Sequence, residues 1–189
     1  MNTVSKPKLS RETLLPLMAA HVIEHGLGGA SLRPLAKAAG TSDRMLIYHF
    51  GDKASLVRDL LEYIAGVYSA ALDMALGEGK PATRGECFER ILKLGQGPAM
   101  QPFMVLWWEI VAGSARGLPG YKDAAEAMME RQLAWLEAQM PEDDPDPAGG
   151  ARYLMTLLEG TLMLHAVGHS RMASEGIEAG LLASGHTED

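Results

Sequence analysis

The fold is decided by residues 31–56, which read SLRPLAKAAGTSDRMLIYHFGDKASL. Two short helical segments flank a tight turn, AGTS at residues 39–42. Gly40 suits the left-handed end of the first helix, and Ser42 suits the capping position of the second. The segment therefore predicts two short helices that cross at a sharp turn.

The second of these segments has an apolar face and a polar face. Leu46 and Phe50 lie four residues apart and define the face that packs against Leu35 of the first segment. At 100° per residue, Arg44 and Tyr48 then point to the opposite side. A guanidinium can donate two hydrogen bonds to a guanine edge, and a hydroxyl can donate to a phosphate. This arrangement predicts a helix-turn-helix whose polar face fits a DNA major groove.

Helical periodicity extends outward from this segment through most of the chain. No stretch alternates apolar and polar residues as a half-buried strand does, so the sequence predicts an all-α protein. In the first helix, Leu14, Leu17, Met18 and Ile23 are expected on one face. The predicted helices cover about residues 10–25, 31–40, 42–49, 53–76, 84–94, 99–115, 119–139, 148–170 and 174–184.

Composition and charge limit the class of protein. Hydrophobic residues make up 47% of the 189-residue chain, which excludes disorder throughout, and no apolar run is long enough to cross a bilayer. Residues 1–56 carry seven Lys/Arg against four Asp/Glu, a balance of +3, whereas the remainder has a balance of -10. A basic head on an acidic body is expected when only the head meets a polyanion. The single cysteine, Cys87, excludes an internal disulfide, fits the reducing cytoplasm and is expected to be buried.

Catalytic and metal-binding patterns are weak. The sequence contains no GxSxG, no P-loop lysine motif and no paired-carboxylate signature, so we predict neither an enzyme nor a bound cofactor. His165 and His169 stand four apart on the predicted helix 148–170, a spacing that can chelate a metal. Because no third ligand follows at a suitable offset, a structural or interface pair is favoured and no metal is predicted. The proline-rich and acidic segment 141–150 is expected to be a solvated loop.

Residues 10–60 resemble the DNA-binding head of the TetR family of bacterial transcriptional regulators. The resemblance covers about a quarter of the chain. It rests on Ser31, Leu35-Ala36, Ala39-Gly40, Ser42, Leu46, His49-Phe50, Lys53 and Leu56 at the family's spacing.

The resemblance implies a fold and a mode of action. It implies an all-α homodimer in which residues 1–52 form a three-helix DNA-binding head and residues 53–189 form an effector-binding and dimerisation body. Such a protein is a cytoplasmic repressor that binds a palindromic double-stranded DNA operator and is released by a small-molecule effector. Dimerisation is expected to use helices 119–139 and 148–170.

The resemblance also assigns roles to single residues of the head. Arg44 and Ile47 depart from the family pattern, which usually has a small residue and a tyrosine at these positions. Asp43 can accept a hydrogen bond from cytosine or favour the helix N-terminus. Phosphate contacts are expected from Ser31, Thr41, Tyr48, His49 and Lys53, and base contacts from Arg33, Arg44 and Met45.

The body is rich in methionine and tryptophan, which at helical spacing serve as core residues or line a ligand pocket. Phe103, Trp107 and Met163 are the predicted lining of an effector pocket. Two alternatives from other classes are a helical interaction protein without an effector and a small helical enzyme that uses the body cavity.

Overall fold

The computed structural model describes residues 9–29, 31–76 and 79–184. Within these residues the chain forms helices and no strand, which confirms the all-α prediction. A 3₁₀ turn, Leu27–Gly29, follows the first helix. The α-helices are α1 (Arg11–His25), α2 (Leu32–Ala38), α3 (Asp43–Phe50), α4 (Lys53–Leu76), α5 (Arg84–Gly95), α6 (Gln101–Ala115), α7 (Tyr121–Ala138), α8 (Pro147–Ala166) and α9 (Ser170–Ser184).

The chain divides into two compact units. The first unit comprises Met1–Asp73 and Ala99–Arg131, and therefore holds α1, α2, α3, most of α4, α6 and the start of α7. The second unit comprises Met74–Pro98 and Gln132–Asp189, and holds α5, the end of α7, α8 and α9. The predicted head, residues 1–52, lies in the first unit together with helices from beyond it. Its first eight residues fall outside the described part of the chain, and its boundary stays a prediction.

The helix-turn-helix residues pack as their spacing predicts. Leu46 and Phe50 of α3 and Leu35 of α2 are each at most 2% exposed. They join one apolar core with residues of α1, α4 and α6. Ala36 and Ala39 are buried as well, and their small side chains allow the close crossing of α2 and α3.

The buried face of α1 differs in one position from the expected one. Leu14, Met18 and Val22 are buried at a spacing of four residues, and Ile23 packs partly buried beside them. Leu17 is 50% exposed because it lies 100° away from the stripe that these residues form. The prediction that Leu17 faces the core is therefore wrong.

The turn between α2 and α3 closes by backbone hydrogen bonds. Gly40 has a φ of +64°, which lets the Thr41 N–H donate to the Ala36 carbonyl over 2.9 Å. The hydroxyl of Ser42 then accepts from the Met45 N–H over 3.3 Å and caps α3. Both predicted turn residues thus act as expected.

In the second unit, an ion pair anchors the segment between α7 and α8. Nε and Nη2 of Arg84 donate to the two carboxylate oxygens of Asp144 over 2.7 and 2.6 Å, and the Asp144 side chain is 2% exposed. The hydrogen bonds from Arg84 lower the pKa of Asp144 to about 2. The prediction of a solvated loop is therefore wrong for Asp144, and also for Pro141, which is buried. The end of that segment, from Pro147, is the first turn of α8.

The predicted helix 148–170 is interrupted near its end. Gly168 has a φ of +82°, and the His169 N–H donates to the Leu164 carbonyl over 2.8 Å, which closes α8 at Ala166. α9 then begins at Ser170, four residues earlier than expected.

His165 and His169 consequently do not share a helix, and the prediction that they lie on one helix face is wrong. Nε2 of His165 lies 2.7 Å from the side-chain nitrogen of Gln96, and its Nδ1 lies 2.7 Å from the Ser170 hydroxyl. Both ring nitrogens are thus used in contacts within the second unit.

Two further features are the lack of a membrane-spanning helix in the described part of the chain and the burial of its cysteine. No helix in this part is long and apolar enough to span a bilayer. Cys87 is 2% exposed, as predicted, with its sulfur 3.7 Å from the Gln139 carbonyl oxygen. Burial raises the pKa of its thiol to about 11, so the thiolate needed for a reactive cysteine does not form near neutral pH.

Candidate nucleic-acid interface

The outer face of α3 is polar and open to solvent. Tyr48 is 78% exposed and Arg44 is exposed one helical turn before it, whereas Leu46 and Phe50 are buried on the opposite side. This confirms the predicted orientation of the helix. α3 therefore presents a guanidinium and a phenol to solvent along one side.

Arg11 connects the end of α3 to α4. Its Nε donates to the His49 carbonyl over 2.7 Å, its Nη1 donates to Asp59 over 3.0 Å, and its guanidinium carbon lies 5.3 Å from the centre of the Phe50 ring. Arg11 could not be predicted from the sequence because 38 and 48 residues separate it from its hydrogen-bond partners. No local pattern marks such a contact. Arg11 is thus a positioning residue for α3.

Two of the predicted phosphate contacts present free polar groups at the surface. Ser31 precedes α2, where a serine is expected to cap the helix, but its hydroxyl forms no capping hydrogen bond and the residue is exposed. Lys53 is the exposed first residue of α4, and it forms no ion pair with any residue in the described ranges. Thr41 lies half-buried in the turn before α3.

His49 differs from the other predicted phosphate contacts. The residue is half-buried, and its Nε2 is buried without a hydrogen-bond partner among the described residues. The Tyr48 ring lies edge-on to the imidazole, with centroids 5.3 Å apart. Nε2 therefore does not face solvent, and only Nδ1 is left for a phosphate.

The predicted base contacts lie on α2 and α3. Arg33 is exposed in the first turn of α2, and Arg44 is exposed in the first turn of α3. Met45 is half-buried beside Arg44, and Asp43 is exposed at the start of α3. The two arginines are therefore free to reach base edges or phosphates.

Asp52 is the acidic neighbour of Lys53. Its Oδ1 accepts from the Ser55 N–H over 2.7 Å and caps α4. The hydrogen bonds from Ser55 lower the pKa of the Asp52 carboxyl. The carboxylate is therefore engaged with the helix end, and the Lys53 ammonium stays available.

The predicted effector-pocket residues fall in different units. Phe103 and Trp107 lie one turn apart on α6, half-buried, and pack against the core of the first unit. The Phe103 ring lies 5.4 Å from that of Tyr68. Met163 belongs to the second unit and is 53% exposed. Their role in binding an effector stays a prediction.

Among the residues that the structure describes, no cluster of three or more His, Cys, Asp or Glu side chains is placed to hold a metal ion.

The fold and the exposed face of α3 define a helix-turn-helix protein, and part of the chain matches a known family. Residues 19–60 match the family described as bacterial regulatory proteins, tetR family. The HTH-type transcriptional repressor KstR2 of Mycolicibacterium smegmatis is 35% identical over 78 residues. That match covers 39% of this chain and 38% of the repressor's length.

Solved structures resemble the chain over most of its length. SCO7518 of Streptomyces coelicolor A3(2) is 28% identical with a TM-score of 0.67, covering 88% of this chain and 95% of that one. EbrR, a multidrug binding protein solved in complex with proflavin, has the same fold at 21% identity, with a TM-score of 0.65 and coverage of 89% and 98%. Residues 19–60 are therefore similar to the TetR family of bacterial regulatory proteins, and most of the chain has the fold of these solved structures.

Proposed function

We propose that the protein is a cytoplasmic, DNA-binding transcriptional repressor that binds a palindromic operator as a homodimer and is released by a small-molecule effector. The observation that carries this proposal is the exposed Arg44–Tyr48 face of α3 within the segment that matches the family. The protein acts by binding and performs no catalytic step. The alternatives of an interaction protein and a small enzyme gain no supporting observation from the described residues.

DNA recognition divides between α3 and its surroundings. Arg44 donates two hydrogen bonds to a guanine edge in the major groove. Ser31, Thr41, Tyr48 and Lys53 hold phosphates on either side of the groove and set the position of α3. Arg11 supports this arrangement because it holds the end of α3 against α4.

Homodimer formation is supported by apolar side chains exposed in the second unit. Tyr153, Met163, Val167 and Met172 are 52–62% exposed on α8, α9 and the turn between them. Exposed apolar groups of this size mark a contact surface when they lie together. Two copies related by a two-fold axis would present two α3 helices about 34–36 Å apart, which is one turn of DNA.

Effector control needs a molecule that binds the DNA-free arrangement more tightly than the DNA-bound one. A coupling of about 1–3 kcal/mol is typical of such control. α4 is the proposed lever because it begins at Lys53 in the first unit and ends at Leu76 in the second. The complex of EbrR with proflavin supports a body that binds a small molecule.

Arg44→Ala tests the proposal after bound duplexes have been selected from a random pool. We expect selection to yield a palindrome, and the variant to lose about 1–3 kcal/mol of discrimination at one base pair of each half-site. Lys80→Ala, which removes an exposed cation of the second unit outside α8, is the control and should leave affinity unchanged. Selection without enrichment of any sequence would overturn the proposal. An equal loss of affinity on every sequence would show that Arg44 contacts the DNA backbone and not a base.

A further inference from the structure

We infer that the first unit contains a second ligand site, which binds an aromatic anion and shares Ser31 and Lys53 with the DNA-contacting surface. Because these two residues are shared, the anion and DNA would compete for them. This competition rests on the proposed function, whereas the binding site itself does not. The site is a cavity of about 560 Å³ beside the start of α4. This volume falls within the range of small-molecule sites, about 300–1,000 Å³.

Three separate segments of the first unit form the walls. The first is the 3₁₀ turn with the start of α2, the second is the start of α4, and the third is the connection between α6 and α7. The lining residues are Leu27, Gly28, Ser31, Asp52, Lys53, Ala54, Val57, Leu118, Pro119 and Tyr121.

The first wall is held in place by α6. The carboxylate of Glu109 accepts a hydrogen bond from the Leu27 N–H over 2.5 Å. A Cβ at Gly26 would lie 2.8 Å from the same carboxylate, and Gly26 has a φ of +74°. Glycine is therefore required where the chain passes Glu109. Leu27 is thereby kept at the edge of the cavity.

Two glycines hold the third wall against its neighbours. A Cβ at Gly113 would lie 2.1 Å from the Tyr121 ring, so the ring packs directly on the backbone of α6. Gly120, with a φ of +81°, brings the chain close to the Ala54 carbonyl at the start of α4. The wall residues Leu118 to Tyr121 are thus placed by backbone contacts that a side chain would prevent.

The lining combines a large apolar surface with one lysine ammonium and one carboxylate, which is hydrogen-bonded to the start of α4. Leu27, Val57, Leu118 and Pro119 and the Tyr121 ring supply the apolar part. The Asp52 carboxylate caps α4, whereas the Lys53 ammonium forms no ion pair within the described residues. An aromatic ring that carries a carboxylate or sulfonate matches this combination.

Two hydroxyl groups add hydrogen-bond donors without adding charge. The Ser31 hydroxyl is exposed and does not cap α2. Burial, and then the nearby Glu109 carboxylate, raise the pKa of the Tyr121 phenol, which keeps it neutral near pH 7. A phosphate of DNA and the anionic group of a ligand would therefore compete for Ser31 and Lys53.

Titration with 8-anilinonaphthalene-1-sulfonate, followed by its fluorescence, tests the site in the full-length protein without DNA. We expect Lys53→Gln to weaken binding at least fivefold because it removes the charge. We expect Gly28→Leu to weaken it at least as much because it fills the cavity. A Cβ at Gly28 meets no atom within 4 Å, so the substitution introduces no clash at this atom. Lys37→Gln, which removes an exposed lysine outside the cavity, is the matched control and should bind as the parent does.

Equal affinity in the parent, Lys53→Gln and Gly28→Leu would overturn the site. Competition is measured separately, by adding a selected duplex to the dye complex. Displacement of the dye supports the inference that dye and DNA share Ser31 and Lys53. Simultaneous binding of dye and duplex overturns the competition. If the protein binds the dye with the expected variant pattern but binds no duplex, the proposed function fails while the site stands.

Discussion

Lys53 illustrates how a single residue serves the proposed interface. It is exposed at the first position of α4, and the neighbouring carboxylate of Asp52 is engaged in capping. The Lys53 ammonium would displace condensed counterions from the DNA when it binds a phosphate, so its contribution to affinity depends on salt and not on sequence.

Lys53→Ala is therefore expected to weaken binding to all duplexes by a similar factor. The slope of log K against log salt concentration should decrease in magnitude by about one for each head. Fluorescence anisotropy over a salt series measures this slope. Lys80→Ala, an exposed lysine of the second unit, should leave it unchanged. An unchanged slope in Lys53→Ala would show that Lys53 does not contact a phosphate.

At the scale of elements, close backbone contacts set the spacing of helices in the first unit. α6 and α7 approach each other where the Tyr121 ring lies on Gly113. Because a Cβ there would overlap the ring, the residue cannot be enlarged without moving one of the two helices.

Gly113→Ala is expected to lower the free energy of unfolding by about 1–3 kcal/mol through overpacking. Gly176→Ala in α9 is the matched control, because a Cβ there meets no atom within 4 Å. The control should be neutral or more stable by up to about 1 kcal/mol, since alanine favours the helix. Urea unfolding of both variants checks the difference, and equal stability would contradict the close packing at Gly113.

Also at this scale, the Arg84–Asp144 pair connects α5 to the segment before α8. The pKa of Asp144 lies at about 2 in the folded protein, below the value of about 3.9 in an unfolded chain. The pair therefore stabilises the fold above about pH 4, and this contribution is lost as the pH falls toward 2.

Asp144→Asn should accordingly lower the urea midpoint at pH 6, and the difference from the parent should shrink as the pH is lowered to 3 and then 2. Asp143→Asn, which changes the exposed neighbour, serves as the control and should follow the parent at each pH. A difference that stays constant between pH 6 and 2 would show that the charge of Asp144 is not what stabilises this contact.

At the scale of the whole molecule, the proposed homodimer makes the spacing of half-sites a geometric requirement. An insertion of five base pairs rotates one half-site to the opposite side of the DNA. We expect this insertion to reduce affinity to that of a single half-site, measured by gel shift with the selected palindrome.

Light scattering of Val167→Asp, which places a charge on the exposed apolar surface, should show more monomer than the parent. A parent that is monomeric and indifferent to the insertion would contradict the dimer.

The helix-turn-helix was predictable from the sequence because its determinants are local. Gly40 and Ser42 act through hydrogen bonds that span three to five residues, and Leu46 and Phe50 follow helical periodicity. One error concerned a local signal, because Gly168 ends α8 before His169. The other arose where a distant contact outweighed composition, because Arg84 pairs with Asp144 in a segment whose composition indicated a solvated loop.

The all-α class, the crossing of α2 and α3, and the outward direction of Arg44 and Tyr48 can all be read from the amino-acid order, since each follows from neighbours within one or two helical turns. The contacts that hold these elements together became visible in the folded protein alone. Arg11 meets His49 and Asp59, Glu109 meets Leu27 from 82 residues away, and three distant segments enclose the cavity beside Lys53. Contacts between residues so far apart depend on how the helices pack, and no periodicity along the chain encodes them.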